Sequence, residues 1–252
     1  MSTAAQTRPT FEETLAKVSD VEGWMTDAQA RRLWDAASAV PAGGVIVEIG
    51  SFRGRSMIVL AHAADPSVEL VAVDPHMGGD RGPNEYDPDD ALGEADYDTF
   101  HANLRAAGVD DRVRHVRALS AEALGEVQGE LDLLYVDGAH RYAFAKPDIE
   151  QWGGRVRDGG HMLIHDCFNA VGVMLAQLRL LFASRRWRYV GRSGSLAQYR
   201  RTHLTTRGVA GNFLEQAAGI PYFVRNCVVK ALIVAHLRPV ARLLGEHGHW
   251  PY

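Results

Sequence analysis

The sequence is poor in cysteine, and that scarcity excludes several classes of protein. It has two cysteines in 252 residues, Cys167 and Cys227, and they do not form a CxxC pair. This argues against a disulfide framework and against a structural zinc site, and it predicts a protein of the reducing cytoplasm. The N-terminus also lacks the basic and apolar segments of a secretory signal peptide.

The sequence also has no excess of positive charge. Lys and Arg number 27 against 31 Asp and Glu, so the formal net charge is -4. A nucleic-acid-binding domain usually carries a basic stripe or patch. We therefore expect the protein to have no nucleic-acid partner.

Long uninterrupted apolar runs are missing as well. The most apolar late segment, residues 222–244, is interrupted by charged or titratable side chains: Arg225, Lys230, His236 and Arg238. This composition predicts an amphipathic helix and no integral membrane span. Such a helix could pack on the core, pair with a second subunit or touch a membrane surface. Since both ends of the chain carry apolar helical faces, we expect a homodimer through the terminal helices.

Short β-branched segments alternate with helical patterns through the middle of the chain, and this alternation predicts an α/β fold with a mostly parallel sheet. We expect strands in the segments VIVEIG, ELVAVDP, RVRHVRAL, LDLLYVDGAH and GGHMLIHDC, and a closing hairpin in WRYVGRSGSLAQYRR. The predicted organisation is an N-terminal helical cap at 1–40, a main domain at 41–202 with a mobile acidic loop at 78–98, and a C-terminal helical extension at 203–252.

Four of the predicted strands carry an acid at or near their ends: Glu48, Asp74, Asp137 and Asp166. Right-handed crossovers place the carboxyl ends of parallel strands at one edge of the sheet. Ligands of open α/β sheets bind at that edge. Core packing does not readily explain four acids there, so we expect a ligand site.

The turn after the first strand indicates the kind of ligand. It runs Gly50-Ser51-Phe52-Arg53-Gly54 and lacks the second glycine of GxGxxG, which disfavours a dinucleotide and a nicotinamide dehydrogenase. Glu48 suits a positive amino group, and Asp74 can accept hydrogen bonds from both ribose hydroxyls. S-adenosylmethionine carries both groups and no phosphate. Alternatively, Gly50 only makes a tight turn and Asp74 only caps a helix.

The segments VDGAHRY and HDC supply groups for metal binding and proton transfer. Asp137 and Asp166 could share a hard cation such as Mg²⁺, which lowers the pKa of a bound hydroxyl. His140 follows Asp137 by three residues and is suited to act as a general base. Alternatively, His140 is a loop histidine without a role and Asp166 is a helix cap.

Four segments carry a resemblance to class I S-adenosylmethionine-dependent methyltransferases: GGVIVEIGSFRGRSMIVLA, LVAVDPH, RHVRALSAEAL and LDLLYVDGAHRYAFAKPDIEQW. The similarity covers roughly residues 23–200 and implies a Rossmann-like, seven-stranded sheet with helices on both faces. The early segment EGWMTDAQARRLWDAA is similar to the helical entry of metal-dependent sugar O-methyltransferases, which include macrolide, aminocoumarin and mycobacterial methylmannose enzymes.

The resemblance also implies roles for individual residues. The predicted cofactor site comprises Glu48, Gly50, Ser51, Ser56, Asp74, Leu119, Ser120 and Asp137. The predicted metal ligands are Asp137, Asp166 and His165, where His165 stands at a position that is acidic in the sugar enzymes, so the third protein ligand stays open. Independently of the resemblance, the predicted acceptor contacts are Arg141 and Tyr142, together with Tyr86 and Tyr97, whose aromatic rings could stack on a sugar ring. Cys167 after Asp166 departs from the Asp-Asn of catechol-type enzymes.

The expected function is Mg²⁺-dependent transfer of a methyl group from S-adenosylmethionine to a sugar hydroxyl, with a mannoside of a polymethylated polysaccharide as one candidate. A metal-independent O-methyltransferase for an aromatic or other small molecule is the alternative. A cofactor-binding protein without catalysis is a third possibility, and the presence of Glu48, Asp74, Asp137 and His140 speaks against it.

Overall fold

The computed structural model describes residues 8–79 and 87–245. The strands among these residues are β1 Val45–Ile49, β2 Glu69–Val73, β3 Val113–Val116, β4 Leu131–Val136, β5 Val156–Ile164, β6 Trp187–Ser193 and β7 Leu196–Arg201. The α-helices are α1 Phe11–Val18, α2 Asp27–Ser38, α3 Arg55–Ala63, α4 Asp90–Ala107, α5 Ser120–Ala123, α6 Tyr142–Pro147, α7 Val171–Leu180, α8 Thr206–Ala217, α9 Ile220–Val234 and α10 Arg238–Leu243.

The strands form a seven-stranded sheet of order β3-β2-β1-β4-β5-β7-β6. The first five strands in this order pair in parallel, and β7 runs antiparallel to both β5 and β6. Consecutive side chains of a strand point to opposite faces of the sheet, and both faces carry a buried apolar cluster covered by helices. The predicted Rossmann-like, mostly parallel sheet with its closing hairpin is confirmed.

The N-terminal helices pack against the sheet and share its core. Phe11 of α1 and Leu33 of α2 belong to the same buried cluster as Ile46 of β1 and Leu133 of β4. Thr26 is the N-cap of α2, because its Oγ1 accepts a hydrogen bond from the Gln29 backbone. The division of the chain into three segments stays a prediction.

The structure corrects the predicted loop at 78–98, because α4 begins at Asp90. Asp89 caps this helix by accepting a hydrogen bond from Leu92 N at 2.9 Å. Two of the buried positions on its inner face are Gly93 and Asp96. Because a small and a charged residue occupy these buried positions, the sequence lacks the apolar periodicity that would have predicted the helix. Residues 80–86 of the predicted loop lie outside the described residues.

Candidate active site

A cleft of about 730 Å³ opens at the carboxyl edge of the parallel strands. Hydrogen bonds between neighbouring strands continue past their ends and bring the following residues together. Asp137 N donates to Ile49 O at 2.8 Å, and His165 N donates to Val136 O at 2.9 Å. The residues that follow β1, β4 and β5 therefore meet at one place, as the sequence predicted.

The Gly50 turn lies directly against the end of β4. Gly50 has a φ of +83°, in the left-handed region that favours glycine. A Cβ at this position would overlap the Asp137 carbonyl oxygen and lie 2.8 Å from Gly138 Cα. Glycine is therefore required twice here, for its backbone angle and for the close approach of two chain segments.

Glu48 lies in β1, directly before Ile49 and Gly50, which line the cleft. Its side chain is fully buried, and Oε1 accepts a hydrogen bond from Ser56 Oγ at 2.5 Å. Burial raises the pKa of Glu48 to about 8, although the hydrogen bond from Ser56 acts in the opposite direction. Within the described residues, Glu48 Oε2 and Ser51 Oγ are buried without a hydrogen-bond partner.

Asp74 follows β2 and lines the cleft next to the Gly50 turn. Its Oδ2 accepts a hydrogen bond from Phe52 N at 2.8 Å, and its Oδ1 accepts one from His76 N at 2.8 Å. Asp74 thus ties the Gly50 turn to β2. A carboxylate oxygen has a second lone pair, so both oxygens can still accept hydrogen bonds from a ligand.

Leu119 and Ser120 line the cleft at the start of α5. Ser120 Oγ donates to Asp148 Oδ1 at 2.5 Å, and Trp152 Nε1 donates to Ser120 O at 3.1 Å. Burial raises the pKa of Asp148 to about 6, although the hydrogen bond from Ser120 lowers it. Asp148 also lines the cleft, and the sequence analysis assigned it no role.

Two of the predicted metal ligands, Asp137 and Asp166, lie together with His140, the predicted base, and metal binding by them stays a prediction. The ligand atoms of Asp137, His140 and Asp166 lie within 4.8 Å of one another. His165 Nδ1 lies 3.1 Å from Asp137 Oδ1 and 3.1 Å from Asp166 Oδ2, so its ring bridges the two carboxylates. Burial lowers the pKa of His165, but the charges of Asp137 and Asp166 outweigh burial and raise it well above its ordinary value.

His140 pairs with Asp166 inside this cluster. The distance from His140 Nε2 to Asp166 Oδ2 is 2.8 Å. Burial lowers the pKa of His140, but the hydrogen bond to Asp166 and the negative charges of Asp166 and Asp137 raise it overall. Asp166 adopts a left-handed backbone, with φ of 54°, which an aspartate tolerates better than most residues.

The structure brings only some of the predicted acceptor residues to the cleft. Arg141 lines the cleft beside His140. Tyr142 begins α6 and is half-exposed. Tyr97 packs in α4 among the rings of His76, His101 and His115. Tyr86 lies outside the described residues.

Two cleft residues from α9 could not be assigned from the sequence. Tyr222 and Lys230 line the cleft, and Lys230 Nζ donates to Asn169 O at 3.0 Å. They lie far along the chain from β4 and β5, so only the packing of α9 brings them to the site. At the entrance, the half-exposed Trp24 packs against Phe52 with ring centroids 5.4 Å apart.

Comparison with known families gives a match that spans most of the sheet and the cleft edge. Residues 47–167 match the family described as a methyltransferase domain. The matched segment includes Gly50, Asp74, Asp137, His140 and Asp166, so it contains the whole central cluster of the candidate site.

Several solved structures share the fold of this chain over about three quarters of its length. The cofactor-bound protein Rv0187 from MTB is 21% identical, with a TM-score of 0.54, over 76% of this chain and 88% of its own. The O-methyltransferase TomG from Streptomyces achromogenes, in complex with SAM, is 20% identical, with a TM-score of 0.52, over 75% and 90%.

An O-methyltransferase from Bacillus cereus, in complex with SAH, is 17% identical with a TM-score of 0.53, over 75% of this chain and 87% of its own. At these identities the likeness establishes the fold alone. The prediction of a class I methyltransferase fold is therefore confirmed, and the family match over residues 47–167 supports the prediction of a methyltransferase.

Proposed function

We propose that the protein is an S-adenosylmethionine-dependent O-methyltransferase that uses Mg²⁺ and methylates a sugar hydroxyl. The observation that supports this proposal most strongly is the hydrogen-bonded pair of His140 and Asp166, which lies next to Asp137 at the same sheet edge as the Gly50 turn. A proton acceptor and a cofactor turn at one edge are the two elements that methyl transfer to oxygen requires.

The residues present fit S-adenosylmethionine. The buried Glu48 carboxyl, whose Oε2 is unpartnered among the described residues, suits the positively charged amino group of this cofactor. Asp74 has acceptor capacity for ribose hydroxyls, and Ser120 lines the cleft next to the buried Asp148. Ser56 supports this site by donating a hydrogen bond to Glu48, and the hydroxyl of Ser51 is buried beside Gly50 without a partner among the described residues. The cofactor supplies a methyl group on a positively charged sulfur.

The oxygen donors of Asp137 and Asp166 also fit Mg²⁺, which prefers hard ligands. Bound Mg²⁺ would lower the pKa of an acceptor hydroxyl. Asp137 is held for this role by Tyr135, whose hydroxyl donates to Asp137 Oδ2 at 2.7 Å. The nitrogen of His165 is the third candidate ligand from the sequence analysis, and it already lies within 3.1 Å of both carboxylates.

His140 is the proton acceptor of the proposed reaction. Asp166 accepts a hydrogen bond from Nε2, so Nδ1 is the nitrogen that takes the hydroxyl proton. The acceptor oxygen then forms a bond to the methyl carbon, and the electron pair of the carbon–sulfur bond leaves on the sulfur. Asp166 and Asp137 stabilise the imidazolium that results, which agrees with the raised pKa of His140.

A metal-independent O-methyltransferase acting on an aromatic or other small molecule is a second candidate. It is favoured by the position of His165, whose bridging ring lies between the carboxylates that the metal would join. A buried imidazolium there balances their charge without a cation. Both candidates keep His140 as base. A homodimer and a cytoplasmic location stay predictions.

The deciding experiment measures transfer of a labelled methyl group from S-adenosylmethionine to mannosides, other glycosides and phenols, with Mg²⁺ and with a chelator. We expect transfer to a glycoside that stops in chelator. Transfer that survives chelation would remove Mg²⁺ from the proposal and favour the second candidate. Transfer to phenols alone would contradict a sugar acceptor.

A further inference from the structure

Helix α9 presents apolar side chains to both sides. Its inner side buries Asn226, Val229 and Ile233. Its outer side carries Val224, Val228 and Val234, which are 52%, 43% and 70% exposed. A helix on the surface of a protein in water normally has a polar outer face. The outer face of α9 is thus built for contact with something other than water.

Exposed apolar side chains also occur on the helices before and after α9 in the chain. Leu214 of α8 is 69% exposed and Leu243 of α10 is 85% exposed, and Leu237 lies exposed between α9 and α10. We call these residues the C-terminal apolar surface: Leu214, Val224, Val228, Val234, Leu237 and Leu243. Exposed apolar surface spread over three helices is typical of an interaction site.

Polar side chains fix these helices onto the domain from the inside. Asn212 Oδ1 accepts a hydrogen bond from Tyr189 N at 2.6 Å, Gln216 Nε2 donates to Leu181 O at 3.3 Å, and Asn226 Nδ2 donates to Phe168 O at 3.1 Å. The helical stretch Thr206–Val234 is long and apolar enough to cross a membrane by length and composition, and only 22% of its most apolar window is buried. Crossing would break all three bonds, so these contacts favour a surface position.

The charge of this region distinguishes between two possible binding partners, a second copy of the chain and a lipid surface. Residues 203–245 contain five Lys or Arg and one acid, Glu215, a net charge of +4 in a chain of -4. Arg207, Arg238 and Arg242 are exposed there. A twofold dimer through this surface would place these arginines against the same arginines of the second copy, so that like charges would face each other. An anionic lipid surface is complementary in both its charge and its apolar interior.

The C-terminal apolar surface shares helix α9 with the candidate active site. Tyr222 and Lys230, which line the cleft, belong to the same helix as Val224 and Val228. We propose that the C-terminal apolar surface lies on an anionic phospholipid bilayer. The identity of the acceptor rests on the methyltransferase function proposed above. Given that function, the acceptor is a lipid-linked hydroxyl compound that enters the cleft beside α9.

Vesicle cosedimentation of the full chain tests the proposal, with phosphatidylcholine alone and with phosphatidylcholine mixed with phosphatidylglycerol. The test variants are Val224→Glu with Val228→Glu, and Arg238→Gln with Arg242→Gln. The matched control is Val190→Glu on β6, since Val190 is 50% exposed, much like Val224. Binding of S-adenosylhomocysteine and the mass in solution are measured for every variant.

We expect the wild type and Val190→Glu to bind the anionic vesicles and the double glutamate variant to bind at least about tenfold more weakly. The arginine variant should lose most of its preference for anionic vesicles. Equal binding by the double glutamate variant would overturn the proposal. A wild-type dimer that ignores vesicles and becomes monomeric on double glutamate substitution would also overturn it, in favour of a second copy.

The same measurements can refute the methyltransferase function and the membrane surface independently of each other. A protein that binds S-adenosylhomocysteine but no vesicles leaves the methyltransferase function intact and refutes the membrane surface. A protein that binds vesicles but no S-adenosylhomocysteine refutes the proposed function and leaves the membrane surface standing.

Discussion

His140 and Asp166 depend on each other at the scale of single residues. The carboxylate fixes one ring nitrogen at 2.8 Å and raises the pKa of the imidazole. The charge of His165 and the hydrogen bond from His140 in turn hold the pKa of Asp166 well below its ordinary value, against the effect of burial. A ring held in this way presents its other nitrogen in a defined direction, which is the requirement for a general base.

The substitution His140→Ala should remove turnover and leave cofactor binding intact. We expect kcat to fall by roughly 10²- to 10⁴-fold, the usual contribution of a general base. The affinity for S-adenosylhomocysteine should change less than about twofold, because the Gly50 turn is untouched. His203→Ala, at an exposed histidine, is the control. A variant with wild-type kcat would refute the base assignment.

The turn between β1 and α3 is the element on which the cofactor site depends. Its backbone is tied to β2 through Asp74 and lies against the first residues after β4. Three strands are therefore held in register at the place where the ligand is expected. A small displacement of this turn would move all of the proposed cofactor contacts together.

Gly50→Ala tests the turn against a matched control. Gly43 has a similar backbone, with φ of +74°, but among the described residues no heavy atom lies within 4 Å of its added Cβ. Gly43→Ala should cost about 1 kcal/mol of stability from backbone strain alone. Gly50→Ala should cost more and weaken S-adenosylhomocysteine binding at least about tenfold. Equal effects, measured by denaturant unfolding and calorimetry, would show that the close approach to Asp137 is unimportant.

Glu48 links the candidate site to the stability of the whole molecule. Its pKa rises from the ordinary 4.5 to about 8 on burial, so folding favours the protonated form. The sign follows from linkage: stability is unaffected below pH 4.5, falls as the pH rises towards 8, and changes no further above it. A bound ammonium group would reverse this cost by pairing with the carboxylate.

Glu48→Gln should therefore stabilise the empty protein while abolishing cofactor binding. We expect its Tm to exceed that of the wild type by several degrees at pH 8 and by little near pH 4.5. S-adenosylhomocysteine should raise the Tm of the wild type alone. Glu130→Gln, at an exposed position, is the control. Parallel Tm curves from pH 4.5 to 8 would contradict the raised pKa of Glu48.

The sequence by itself determined the sheet and the position of the site along the chain. Alternating β-branched and helical segments predict the parallel strands, and parallel strands must end at one edge, so Asp74, Asp137 and Asp166 could be placed together without coordinates. The first half of α4 was predicted as a loop, since Gly93 and Asp96 occupy buried positions that a helical pattern expects to be apolar.

Only the tertiary structure decided the contacts between side chains that lie far apart in the chain. The pattern gave His165 as one candidate ligand, but its bridge between Asp137 and Asp166 depends on rotamers set by the packing of β4 against β5. Likewise, Tyr222 and Lys230 reach the cleft because Asn226 ties α9 to Phe168. Periodicity predicts which face of a helix is apolar, whereas only packing decides that α9 leaves an apolar face uncovered.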